Sequence, residues 1–251
     1  MASTVTRLHL PLNSTDPKTW QDALAYAEAV VKKVGPPATE VILLTHTKHQ
    51  LKGTTLAGVL GPSRLKALEK TGTLQLGANA GLRAQTLNTL GSTANDAVIL
   101  ACYADDAMMT KIDGLPGVIG VVAVPEFPDD IKRWVERWSP IDPAQAAKPA
   151  AVLIADSKVE KAMESLTKQM NLSNGLLTPP YKEKVDEVLR ILFAKGHKTD
   201  TTKLESWAIT NGWPTTMAAE LRAMANKVFG LASKPSLATF TNAQAKYDSW
   251  A

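Results

Sequence analysis

The chain has 251 residues, 45% apolar and 21% charged, with one Cys and a formal net charge of +4. That is too rich in core residues for disorder and long enough for one large domain or two smaller ones. A lone cysteine excludes an internal disulfide and a structural zinc site built on two thiolates. No stretch reaches the roughly 18 consecutive apolar residues of a membrane span. Met1 to Arg7 lack the basic-then-apolar pattern of a signal peptide, so a cytoplasmic protein is expected, with no membrane partner.

Val5–Leu12 alternates as a strand, with Leu8, Leu10 and Leu12 on one face. Asp16-Pro17 then signals a helix start, and Gly35 with Pro36 and Pro37 signals its end near Val34. Glu40–Thr45 carries the continuous apolar run Val41-Ile42-Leu43-Leu44, which suits a strand covered on both faces. Gly58–Thr71 reads as a helix. Thr73–Leu76 reads as a strand before a helix beginning near Gly81, and Asp96–Tyr103 as a strand before one beginning near Asp105. Gly117–Val124 is a fifth strand, and Pro128–Trp138 a helix with Asp129 and Asp130 in its first turn. Strands that alternate with helices in this way predict an open, mainly parallel three-layer α/β sheet domain, Rossmann-like or flavodoxin-like, with about five parallel strands.

Ser139, Pro140, Asp142 and Pro143 punctuate the chain after that. The boundary is expected at 142, giving an α/β domain over 1–142 and a smaller all-α domain over 143–251. The first carries 14 basic and 14 acidic side chains, so the whole excess of +4 falls in the second. Val159, Ala162, Met163, Leu166 and Met170 share a helical face, and Tyr181–Lys195 is a second helix. Thr202–Thr210 and Pro214–Phe229 form a final pair. Two readings stand for Ala151–Ala155, a sixth strand or a helix start. Two also stand for the tail from Lys234, packed back through Phe240, Tyr247 and Trp250 or loosely held.

Several short signatures accompany this division. They are Lys111-Ile112-Asp113, Asn171-Leu172-Ser173-Asn174-Gly175-Leu176, and Trp207-Ala208 with Gly212-Trp213 ahead of Ala218 and Leu221. On these the chain resembles an uncharacterised group of bacterial two-domain proteins. The resemblance implies the two-domain division and no activity.

In open parallel sheets, ligands sit beyond the carboxyl ends of the strands, where the strand order reverses. Those ends carry Asn13 and Ser14, then His46, Lys48 and His49, then Asn79, then Cys102, Asp105 and Asp106, and last Glu126. Asn13, Ser14, Lys48, Asn79 and Glu126 are the ligand-binding candidates, a polar edge suited to a small anion. The plainer reading is that such loops are polar because they are solvated and cap helices. A catalytic version centres on Cys102 as nucleophile, with His46 or His49 as base and Asp105 or Asp106 orienting it. Against it, a free cysteine in an apolar strand is ordinarily a small buried hydrophobe. His46-x-x-His49 has a spacing that would share one helical face, but with no acidic ligand nearby in sequence it predicts no metal site.

No Gly-x-Gly-x-x-Gly follows the first strand, and neither a P-loop nor a Gly-x-Ser-x-Gly elbow occurs. No cofactor is therefore expected. Gly77-x-x-x-Gly81 has the spacing of an anion-binding helix start, or of an ordinary turn. The last helix pair has helix-turn-helix spacing, with Thr215, Thr216, Glu220 and Arg222 on the face that would read DNA. That face is poor in basic residues, so a helical bundle offering a protein partner or self-association surface is preferred to DNA. The sequence thus favours a binding or regulatory protein. An enzyme centred on Cys102 and a DNA-binding regulator through 202–229 are the alternatives.

Overall fold

The structure, a computed structural model, describes residues 5–11, 13–35, 40–77, 80–146, 149–175 and 177–250. They divide into two compact units, Met1–Ala150 and Ala151–Ala251. Among the described residues no helix is long and apolar enough to cross a membrane.

The first unit is α/β. In chain order it comprises β1 (Thr6–His9), α1 (Pro17–Val34), β2 (Glu40–Thr45), a 3-10 turn (Lys48–Leu51), α2 (Thr55–Leu60) and α3 (Pro62–Thr71). These are followed by β3 (Thr73–Leu76), β4 (Ala80–Thr86), β5 (Ala97–Ala104), α4 (Asp106–Asp113), β6 (Val118–Pro125), a second 3-10 turn (Pro128–Ile131) and α5 (Lys132–Trp138). The sheet order is β1-β6-β5-β2-β4-β3, parallel throughout except for the edge pair β3·β4.

Alternation along β2 explains the three layers. Val41 and Leu43 pack with Trp20, Leu56 and Leu68 of α1, α2 and α3, while Ile42 and Leu44 pack with Met108, Met109 and Trp134 of α4 and α5. A strand buried on both faces needs apolar residues at every position, and that is the run the sequence carries. The start of α1 follows its signals: the Asp16 side chain accepts from Lys18 N at 2.8 Å, and Gly35 closes the helix with φ +71. Pro36, Pro37 and Leu12 lie outside the described residues. Helix α1 crosses close over the sheet, so that a Cβ on Gly120 would stand 2.5 Å from Val30 Cγ1.

Two expectations are corrected. The helix expected from Gly81 is strand β4, paired parallel to β2 from Glu40↔Gly81 to Thr45↔Thr86. Thr73–Leu76 is accordingly an antiparallel edge strand. Leu76 and Ala80 are too close in sequence for the long crossover that a parallel pair requires, so the chain turns back as a hairpin. Gly81 thus belongs to a strand and no anion-binding helix starts there. Gly58–Thr71 is helical as expected, in two pieces, α2 and α3, that meet at Gly61 (φ +77) and Pro62.

The second unit is all-α. Ala151–Ala155 forms neither strand nor helix. Next come α6 (Ser157–Lys168), a 3-10 turn (Leu172–Asn174), α7 (Pro179–Ala194), α8 (Thr201–Thr210), α9 (Thr215–Phe229) and α10 (Ala243–Asp248). Val159, Met163, Leu166, Leu189, Leu192, Leu204, Met217 and Leu221 form its buried interior. The Trp213 indole adds a tie by donating to Thr167 Oγ1 at 2.9 Å. The tail is held: Trp250 is buried and Tyr247 is bonded to His197. Three of the four residues placed on the helix-turn-helix reading face serve internal contacts. Thr216 donates to Gly175 O, Glu220 pairs with Lys182 at 3.1 Å, and Arg222 pairs with Glu205 at 3.1 Å.

Candidate functional site

The carboxyl edge of the sheet has neighbouring strands whose chains leave to opposite faces. After β2 the chain passes to α2 on one face, while after β5 it passes to α4 on the other. On the far side of β2, β4 runs into a segment whose Leu90 and Ala94 join the α4 face. Divergence of this kind opens crevices beside β2, where ligands of such sheets bind.

At the β2/β5 crevice, a bulge between Cys102 and Ala104 leaves Tyr103 at φ +54. Bulges re-aim side chains, and left-handed backbone at a non-glycine residue is strained. The Tyr103 ring lies against fully buried Trp20, 4.8 Å between centroids. Burial pushes its phenol above the ordinary range, against the lowering influence of hydrogen bonds with Thr54 and the Leu56 backbone. His46, just past β2, places Nε2 at 3.1 Å from Tyr103 O and 3.7 Å from Asp105 Oδ2. A carbonyl oxygen has no proton to give, so Nε2 carries the hydrogen and Nδ1 of the neutral ring is an acceptor.

The remaining candidates separate. Asp105 caps α4, accepting from Met108 N at 2.8 Å, and Asp106 pairs with Arg133 at 2.6 Å, tying α4 to α5. His49 and Glu126 are exposed. The Asn13 side chain accepts from the N–H and hydroxyl of Thr15, and the carbonyl of buried Ser14 accepts from Trp20 Nε1 at 2.7 Å. Both build the entry to α1. Asn79 lies outside the described residues. Among the described residues, no three His, Cys, Asp or Glu side chains are grouped to hold a metal ion.

Cys102 does not fit a nucleophile's role. It is fully buried in the α1-side core, its Sγ faces Leu100 O at 3.6 Å, and desolvation pushes the thiol far above its ordinary range. The thiolate is the reactive form, and an apolar core suppresses it. The enzyme reading built on Cys102 is corrected on this ground.

A second crevice opens beyond the ends of β2 and β4. It is a cleft of about 410 Å³ between the first 3-10 turn, α3 and β4. Leu51, Leu65, Leu68 and Ala84 give it apolar walls, and Gln85, Thr86 and Thr89 a polar end. Thr86 and Thr89 are bonded to each other, their hydroxyls 3.1 Å apart. Lys52 pairs with Glu69 at 2.8 Å, so among the described residues of the lining Lys48 is the charge with no ion pair. Of the sequence candidates among the described residues, Lys48 alone lines this cleft. Ala84, Gln85 and Thr86 escaped notice because β4 reads as a helix start. In the structure Ala80, Leu82 and Thr86 are buried and Gly81, Arg83, Ala84 and Gln85 half-buried, an alternation that appears only once β4 pairs with β2.

Residues 155–251 match a domain of unknown function, DUF1889. The DUF1889 region covers α6 to α10 and carries the Asn171–Leu176, Trp207-Ala208 and Gly212-Trp213 signatures, while Lys111-Ile112-Asp113 lies outside it. No curated protein and no solved structure matches the chain. The DUF1889 match brings no activity, so chemistry must be argued from side chains.

Proposed function

We propose that the α/β unit is a binding module that takes a small amphiphilic anion, a monocarboxylate or similar, in the cleft beside Lys48. The observation that carries this reading is the lining itself: apolar walls together with Lys48, which among the described residues has no ion pair. About 410 Å³ falls within the range of small-molecule pockets, which combine apolar walls with a few placed polar groups. A cation would meet Lys48 unfavourably, and a neutral apolar molecule would leave it unused. The position beside β2, where neighbouring strands part, supports the same reading. The task we assign to this unit is binding or regulation.

Differential scanning fluorimetry with hexanoate, octanoate and phenylacetate tests it, with hexanol and hexylamine as matched controls. At ten times its Kd, a ligand of the native state adds about 1.4 kcal/mol of stability. The carboxylates should raise the Tm, the alcohol and the amine should not, and Lys48→Glu should abolish the rise. No stabilisation by any carboxylate, or stabilisation that survives Lys48→Glu, would overturn the proposal.

A further inference from the structure

In the helical unit three side chains distant in sequence form a continuous hydrogen-bonded chain. Asp156 divides its carboxylate between two tasks. Oδ1 caps α6, accepting from Lys158 N at 2.9 Å and Val159 N at 3.4 Å, while Oδ2 lies 2.7 Å from His197 Nδ1. His197 is fixed just past the end of α7, where its backbone N–H donates to Leu192 O at 2.9 Å. Its Nε2 lies 2.8 Å from the hydroxyl of half-buried Tyr247 on α10.

The carboxylate accepts only, so Nδ1 carries the ring hydrogen. In the neutral imidazole Nε2 must then accept, and the phenol donates to it. This is the arrangement of an activated nucleophile: a hydroxyl on a base that a third group orients. Two ammonium groups lie over the phenol ring, Lys158 Nζ at 4.8 Å and Lys195 Nζ at 5.4 Å from its centroid. Their field favours negative charge developing on the oxygen. Tyr247 is itself held in place by the neighbouring Lys246–Glu187 ion pair at 2.6 Å and by edge contact with buried Trp250.

We propose that Asp156, His197 and Tyr247 form a nucleophilic triad that accepts acyl groups from small activated esters. In the acylation step the Tyr247 oxygen bonds to the acyl carbon and its proton passes to His197 Nε2. The carbon–oxygen bond to the leaving alcohol breaks, and that alcohol departs with the proton from Nε2. Water then attacks the acyl-tyrosine, His197 takes its proton and returns it to Tyr247, and a carboxylic acid leaves. Asp156 holds the imidazolium in both steps.

The full chain is treated with p-nitrophenyl acetate, and acetylation is read peptide by peptide by mass spectrometry. Hydroxylamine removes acetyl from tyrosine oxygen and leaves lysine amides intact. Tyr181 is the internal control, because its hydroxyl accepts from Asn171 N at 3.1 Å and, among the described residues, is not bonded to a histidine, while Lys184 Nζ lies 5.9 Å from its ring centroid. Tyr247 should acetylate about a hundredfold faster than Tyr181, the lower range of general-base assistance. His197→Gln should bring it to the Tyr181 rate. Asp156→Asn, which keeps an N-cap acceptor, should give an intermediate rate with the fold intact. Equal rates at Tyr247 and Tyr181 in the unmodified chain would overturn the triad, as would an unchanged rate in a folded His197→Gln. Should that variant unfold, the comparison within the unmodified chain decides by itself.

Discussion

His46 Nε2 stands 3.1 Å from the carbonyl oxygen of Tyr103, a contact that ties the end of β2 to the strained end of β5. The bond fixes more than position, because the acceptor is a carbonyl and the ring hydrogen must lie on Nε2. Long-range proton–nitrogen NMR correlations on the neutral ring should show Nε2 protonated and Nδ1 bare. The opposite tautomer would mean that His46 does not bridge the two strands. His46→Ala should cost about 0.5–1.5 kcal/mol, the ordinary net contribution of one hydrogen bond.

The buried thiol gives a chemical test of the core. Cys102 has no exposed surface. A thiol reagent such as dithionitrobenzoate should leave the native protein unmodified and react with one equivalent once denaturant unfolds the α/β unit. Rapid native-state reaction would contradict the burial that removes Cys102 from catalysis. Cys102→Ser should destabilise more than Cys102→Ala, since it places a hydroxyl in an apolar interior.

Asp113 joins α4 to α5 through a buried network. Its carboxylate accepts from Trp138 Nε1 at 2.9 Å, Trp134 Nε1 at 3.3 Å and Arg137 Nη1 at 2.6 Å, and the Arg7 guanidinium lies 3.5 Å from a Trp138 ring centroid. The Asp113 side chain is 1% exposed and that of Arg137 7%. Asp113→Ala would remove a buried carboxylate that binds the Arg137 guanidinium and both indole N–H groups. Denaturant titration of this variant should show a loss of roughly 3–5 kcal/mol, the usual cost of breaking a buried pair from one side. A loss below 1 kcal/mol would mean the network is solvated.

How much of this was legible follows from what is local. The bounds of α1 were written in Asp16, Pro17 and Gly35, and both faces of β2 in its four-residue apolar run. Strand β4 was hidden because Gly81, Arg83 and Gln85 interrupt its apolar pattern, and only pairing with β2 makes them strand residues. Arg83 is held there by Glu40 of the neighbouring strand, at 2.8 and 2.9 Å. Lys48 is legible as a strand-end residue, but the apolar walls that give it meaning come from Leu51 of its own turn, from α3 and from β4. The Asp156–His197–Tyr247 chain spans separations of 41 and 50 residues with no motif, so only the folded unit assembles it.

Acid should act on the helical unit through Asp156. Partial burial pushes its carboxyl up, but hydrogen bonds from His197, Val159 N and Lys158 N, with the charge of His197, outweigh this and hold it below the usual range. A carboxyl whose folded pKa is depressed contributes stability above its unfolded pKa, near 4 by the reference value, and loses it as pH falls through the folded pKa. Denaturant unfolding of the helical unit should show that loss below about pH 4. Asp156→Asn should flatten the slope there, and an unchanged slope would remove Asp156 as its source.

The central claim is that the cleft beside Lys48 receives an anion. Proton–nitrogen correlation spectra of the full chain, titrated with phenylacetate, test it most directly. The binding reading requires saturable shifts at Lys48, Leu51, Leu65, Leu68, Ala84, Gln85 and Thr89, and their loss in Lys48→Glu. Saturable shifts confined to other parts of the chain, or no saturable shift at millimolar ligand, would contradict it.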